Sequence, residues 1–442
     1  MRYSVIALSV AAALAISAAL AQPVHAPAPP TSGTPNPPIL IQHGHIYSLG
    51  AAGTLADGDV LIENGKIAAV GSSLPAPPGA TVINAQGKPV TPGLMASYTQ
   101  LGIEEIEEVA ETNDSRADQD IDAAAFDVTD AINPNSTLIP IARIAGVTRA
   151  LTAPVMGSGV FYGQAAVIHL GQGPDLVVKH AAGVLVSLGP IGENRERVRR
   201  PDTWAKFRET MDDAREYWAQ RARYHQPGGA RDQRSNRIDL DALGPVIQGQ
   251  EPLIVHAERA SDIREAVAYG QAQKIRMIIL GGQEAWMVTK ELAEAHVPVI
   301  IDAELNLPDY FADIGATLKN ATRLDAAGVT VLFMPQSDDP SQYARTLAQI
   351  AGNAVANGMP WDHALAAITR NPAQAWGIAD SYGTLDPGKD ADVVIWDGDP
   401  LNLSAPTSVF IKGIDMPLVS RQTLLRDRYR DLKRKYPPFS YR

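Results

Sequence analysis

The chain has 442 residues, 45% hydrophobic and 20% charged, an ordinary globular composition with ample material for a large core. Its 38 basic and 49 acidic residues leave a net charge of −11, which argues against a nucleic-acid partner. With no cysteine there are no disulfides, no thiolate metal ligands and no lipid attachment through a thiol.

Residues 1–21 read as a secretory signal. Arg2 supplies the positive start, Val5 to Leu20 the apolar run, and Ala19-Leu20-Ala21 the small residues that a signal peptidase inspects. A periplasmic or secreted protein is therefore expected, in contact with membrane only during export; the alternative is a run retained as an anchor. Residues 22–38 (QPVHAPAPPTSGTPNPP) hold too much proline for a packed core and predict an extended linker.

From Ile39 to residue 91 the pattern is short strands and turns, with Asn64-Gly65 between two apolar runs as a hairpin signal. Between residues 92 and 382 short apolar strands alternate with helix-period segments: 146–154, 252–257, 276–280, 297–302 and 329–334 are the clearest strands. Repeated strand-then-helix units predict a parallel sheet and, at this length, an α/β fold of the TIM-like (β/α)8 barrel type. Residues 191–245 form a charged insert, expected to be a helical excursion with a solvated face. Strand-and-turn texture returns over 383–425. The two strand-rich segments, each too short to fold alone, are expected to pair into one small composite β-sandwich. Residues 426–442 are a basic tail, for which a terminal surface helix is expected.

At GDVLIENGKIAAVG (58–71), VINAQGKPVTPGL (82–94) and ALAAITRNPAQAWGIADSYGTLDPGKDADVVIWDGDPL (364–401), the sequence resembles amidohydrolase-superfamily enzymes of the imidazolonepropionase-like type. The resemblance spans nearly all of residues 39–420 and implies hydrolysis of amide or cyclic-amide C–N bonds. It also implies one or two divalent metals at the C-terminal strand ends, lowering the pKa of bound water from about 15.7 to near 7.

Position by position, the implied ligand set is mostly missing. Tyr98 and Gln100 stand where a His-x-His pair belongs on barrel strand one, Leu185 at the bridging-Lys position of strand four, Gly281 at the strand-six histidine and Gln336 at the strand-eight aspartate. Only His256, ending strand five, remains of that set. A neutral amide binds metal weakly, and a tyrosine must first lose its proton. Every lost charged ligand has become neutral, as expected once the metal charge is gone, because buried unpaired carboxylates are costly.

Two function classes stay open. One is a degenerate homologue, non-catalytic or atypical, that needs no cofactor and binds a small molecule, a second copy or an active relative. The other is a hydrolase of non-peptide C–N bonds with an atypical site at His256, Glu258 and Asp338, with zinc bound only in that case. Asp302, Glu304 and Asp339 offer further carboxylates near strands seven and eight. Glu104, Glu105, Glu107 and Glu108 read as a solvated turn or helix face, the Gly-rich stretch 156–164 as an anion cradle or equally a loop needing positive backbone angles, and His43 and His45 as lying away from the barrel mouth.

Overall fold

The two strand-rich chain ends meet edge to edge. In the computed structural model, which describes residues 37–117, 123–157, 159–189, 199–221, 235–305, 307–308, 311–336 and 339–430, residues Pro35–Leu424 form one unit. Its amino-terminal strands are β1 (Ile39–Tyr47), β2 (Thr54–Glu63), β3 (Lys66–Gly71), β4 (Thr81–Asn84) and β5 (Pro89–Pro92). Asn64 and Gly65 both adopt positive φ in the β2–β3 turn, the backbone that a two-residue hairpin requires.

Eight barrel strands follow: β6 (Leu94–Thr99), β7 (Val147–Thr152), β8 (Phe161–His169), β9 (Val177–Ser187), β10 (Leu253–Ala257), β11 (Met277–Gly281), β12 (Val299–Ile301) and β13 (Val331–Phe333). The chain then returns as β14 (Val393–Trp396), β15 (Pro406–Ile411) and β16 (Ile414–Asp415). Antiparallel pairing of β14 with β5 makes one sheet of both ends, in the order β16-β15-β14-β5-β1-β2-β3 with β4 on β1. Its own apolar cluster includes Ile41, Val60, Val90, Val393 and Phe410.

The second sheet is the nearly closed barrel, ordered β13 to β6. One strand departs from the parallel expectation: β8 runs antiparallel to both β7 and β9. Its connections, residues 153–160 and 170–176, are too short for the helical crossover that parallel neighbours need. The stretch 156–164, read from sequence as a Gly-rich loop, therefore ends inside a strand. Between β13 and β6 the seam is bridged by the segment that follows helix Trp361–Ala367: Met95 N donates to the Ile368 carbonyl at 2.8 Å, and Asn371 Nδ2 donates to the Val331 carbonyl at 3.0 Å.

Period-two alternation sorts the barrel side chains into two layers. Leu151, Leu185, Ile254, Ile278, Leu280, Ile300 and Leu332 fill the interior, which Trp376 and Tyr382 also join. Their alternates, such as Val184, Val255, Ile279, Val299 and Val331, belong to the outer core. Of the charged insert, the helix Arg200–Ala219 is described, and it is more than a solvated surface: Trp204, Phe207, Met211 and Tyr217 are buried in that outer core. Helix Arg421–Tyr429 buries none of its residues. Among the described residues no helix is long and apolar enough to cross a membrane.

A buried ionic joint ties the barrel to the returning chain. Arg149 on β7 is 0% exposed; its Nη2 donates to Asp390 at 2.5 Å and its Nε to Asp392 at 3.0 Å, while the guanidinium lies 4.5 Å from the Tyr382 ring centroid. Burial alone would weaken the guanidinium's hold on its proton, but the Asp392 carboxylate outweighs it and raises the proton affinity above the ordinary range. Truncation would leave the buried Asp392 carboxylate without its cation, since only Asp390 keeps a second one in Lys66, so Arg149→Ala is expected to lose about 3–5 kcal/mol in urea unfolding. A loss below about 1 kcal/mol would contradict this.

His169 pairs across the sheet with Arg149. Gly171 N donates to its Nδ1 at 3.1 Å and its Nε2 lies 2.8 Å from the Asp175 carbonyl, so the ring is neutral with the proton on Nε2. Burial, then the nearby Lys412, pushes its pKa down to about 4. The unfolded chain takes up this proton near pH 6.5 and the folded chain does not until about pH 4. Stability is therefore full above pH 6.5 and falls as the pH drops toward 4, by on the order of 2–3 kcal/mol from this group. Urea midpoints at pH 7 and pH 4.5, compared with a His169→Asn variant, measure that share; an equal acid loss in the variant would refute it.

Candidate functional site at the barrel mouth

Because β10 alternates, His256 faces into the barrel at the C-terminal end of its strand, two residues above Ile254. The parallel registers give its neighbours at the same height: Ser187 on β9 and Leu280 on β11, and through Leu280 also Ile300 and Leu332. Leu185, the residue read from sequence as the strand-four position, sits one layer deeper, opposite Ile254. Ser187 is thus the strand-four residue beside the site. Alternation from Leu185 along an apolar strand was the signal that could have found it.

His256, Glu258 and Ser187 form a hydrogen-bonded chain. His256 Nε2 lies 3.1 Å from Glu258 Oε1, and Ser187 Oγ lies 3.4 Å from His256 Nδ1 and 3.1 Å from the Gly189 carbonyl. The His256 and Glu258 side chains are 12% and 22% exposed, enough for a solute to reach both. Two protonation patterns satisfy the chain. In one, the neutral ring donates from Nε2 and accepts the Ser187 proton at Nδ1; in the other, a doubly protonated ring donates from both nitrogens while Ser187 donates to Gly189.

Glu258 is held in place by a second bond, from Gln283 N to Oε2 at 2.9 Å. Its carboxylate takes the space directly over Gly281: a Cβ built there would lie 2.1 Å from Glu258 Oε1 and 2.7 Å from its Cδ. Gly281 also has φ of +93°, a backbone that L side chains rarely adopt. A histidine at this strand-six position would need both the backbone and Glu258 to move.

The other implied ligand positions do not fit a divalent metal either. Tyr98 belongs to the interior cluster, its hydroxyl donates to the Pro154 carbonyl at 3.1 Å, and burial raises its proton affinity well above the usual phenol range. Gln100 is buried, with Nε2 on the Ala153 carbonyl at 3.3 Å and its backbone N on Ser341 Oγ at 2.9 Å. Gln336 lies half-buried beyond the end of β13, and Asp338 lies outside the described residues. Among the described residues no group of three or more His, Asp or Glu side chains could hold a metal ion. At the implied ligand positions that are described, the donors are one imidazole, bonded to the Glu258 carboxylate, and neutral groups.

Glu104 departs from its sequence reading. It is only 5% exposed, while Glu107 and Glu108 face solvent. Isolated bridges to Leu101 and Asn113 hold it in the loop after β6, and Asn113 Nδ2 donates to its Oε2 at 3.3 Å. Burial, with Asp339 and Glu107 adding to it, pushes its carboxyl up to about 7. The mouth therefore holds a second carboxyl poised near neutrality.

The model of the amidohydrolase family matches residues 256–420, from His256 through the return into the composite sheet. The amidohydrolase tasK of Hapsidospora irregularis is 26% identical over 404 residues, 82% of this chain and 40% of that protein. An imidazolonepropionase of Brucella anthropi is 28% identical over 148 residues, 33% of this chain and 35% of that protein. The chain thus spans well under half the length of the tasK relative, and the second match is confined to a part of each protein. Among solved structures, an amidohydrolase from Thermotoga maritima MSB8 superposes with a TM-score of 0.76 at 26% identity, covering 86% of this chain and 99% of that one.

The packing over Gly281 yields a stability prediction. Gly281→Ala is expected to lose about 2–4 kcal/mol, from positive-φ strain and displacement of the pinned Glu258 carboxylate. In a Glu258→Ala background the loss should shrink by at least about 1 kcal/mol, since the space is then open. Additive losses in a double-mutant cycle would show that the carboxylate does not guard this space.

Proposed function

Because this chain belongs to the amidohydrolase superfamily, we propose that it is a metal-independent member that binds a small molecule at the barrel mouth. The observation that carries this reading is the exchange over Gly281, where the Glu258 carboxylate fills the space of a strand-six ligand and bonds the remaining histidine instead. With Tyr98 committed as a donor and Leu280, Ile300 and Leu332 level with His256, the pocket suits a ligand with an apolar body. The polar groups His256, Glu258 and Glu104 would orient its amide or amine. The proposal includes export through residues 1–21 and association with a second copy or an active relative.

A second reading rests on the Ser187–His256–Glu258 chain. It is a hydrolase of C–N bonds other than peptide bonds in which His256 moves the proton without a metal. The relatives, an amidohydrolase and an imidazolonepropionase, make N-acyl and cyclic-amide compounds the first to try.

Metal analysis of the full chain, together with melting curves, tests both readings. Well below one equivalent of metal is expected, with Tm unmoved by chelator and raised by several degrees by a bound N-acyl or cyclic-amide compound. The binding shift should vanish in His256→Ala. Turnover that persists in chelator and is lost in that variant would move the assignment to the second reading. About one equivalent of zinc, iron or manganese, whose removal lowers Tm, would sink the metal-free form of both and move the assignment to a metal-dependent hydrolase of C–N bonds.

A further inference from the structure

A cavity of about 500 Å³ opens at the N-terminal ends of β10 to β13, the end of the barrel opposite His256. Ile275, Met277, Ile278 and Val297 supply apolar wall. Lys274 and Arg276 supply the charge, and together with His296 the N–H donors. No aspartate or glutamate is among the described residues lining it, although acids outnumber bases 49 to 38 in the whole chain. We propose that this cavity is a second ligand site, distinct from the mouth, that takes a small organic anion with an apolar body, its carboxylate or phosphate head against Lys274, Arg276 and His296.

Backbone and charge support the assignment separately. Lys274 caps helix Ala260–Gln273 with φ of +56°, and His296 follows helix Thr289–Glu294 with φ of +51°. Glycine is the low-cost residue at such helix ends, so two long polar side chains are carried there against the backbone preference, both at the edge of one cavity. Arg276 spends one bond on the Gln250 carbonyl at 3.3 Å. Burial first, and Arg276 second, hold the Lys179 ammonium below its usual range, with Glu251 acting in the opposite sense. Glu251, next to Pro252 in the chain, is no permanent counterion: burial pushes its carboxyl up to about 7.

The left-handed positions supply unusually clean variants. Lys274→Gly and His296→Gly remove the donors while easing the backbone, so the fold should be as stable as the parent or more so. Titrating the full chain with octanoate, octylamine and inorganic phosphate by calorimetry, octanoate is expected to bind, octylamine not to bind, and phosphate to bind at least tenfold more weakly than octanoate. Octanoate affinity should fall about tenfold in Arg276→Gln and about fivefold or more in each glycine variant. It should be unchanged in His256→Ala, which separates this site from the mouth and keeps its fate independent of the reading given there. Equal binding of octanoate and octylamine, absence of octanoate binding, or octanoate affinity lost in His256→Ala would each overturn the proposal. So would glycine variants that lose stability yet bind octanoate as before, because the two side chains would then serve only the negative ends of their helices.

Discussion

The buried Arg149 guanidinium is the constraint around which the two sheets are organised. Strand β7 belongs to the barrel, whereas Asp390 and Asp392 lead into β14, the strand that carries the carboxy-terminal part of the chain into the composite sheet. Three charges inside the protein are tolerable only when all are paired, and here Lys66 from β3 adds a further bond to Asp390 at 2.6 Å. The same joint is continued by Asp392, which accepts the Lys412 backbone N–H at 2.9 Å, and by the Tyr382 hydroxyl, which donates to the Gly93 carbonyl at 2.6 Å just ahead of β6. The joint thereby fastens the three returning strands β14–β16 to the sheet begun by β1–β5.

At the mouth, chemistry follows from where carboxylates are allowed to stand. The ligand set implied by the sequence resemblance would gather negative and imidazole groups around a cation. Here the residues level with His256 on β9 and β11 are Ser187 and Leu280, and the Glu258 carboxylate bonds the imidazole directly. Gly281 makes that arrangement sterically complete, since its missing side chain is what gives Glu258 its place. The result is a compact polar chain on an apolar floor, suited to orienting a small molecule.

The carboxylates of the mouth and the cations of the second cavity stand at opposite ends of the barrel. Glu104, Glu258 and Asp302 lie toward the C-terminal end, whereas Lys274, Arg276 and His296 border the cavity at the other. Hydrophobic plugs, chiefly Trp376 and Tyr382, belong to the interior between them. That separation lets opposite charges coexist in one barrel without cancelling each other.

Much of this was legible in the residue order. Apolar runs separated by turn residues located β10, β11, β12 and β13, Asn64-Gly65 announced its hairpin, and the paucity of histidine and carboxylate at the implied ligand positions was visible by eye. The position of His256 at the end of its strand was legible too. Three things were decided only by tertiary structure. The reversal of β8 came from loop lengths that mattered only once its neighbours were paired. The burial of Glu104 came from a loop that folds back on the barrel, which no local pattern encodes. The contact between Glu258 and the space over Gly281 joins two strands 23 residues apart in the chain (281 − 258). Sequence carries the period of each strand, and so the face each side chain presents; which faces meet, and which charge fills which gap, depends on packing between segments that the linear order leaves unrelated.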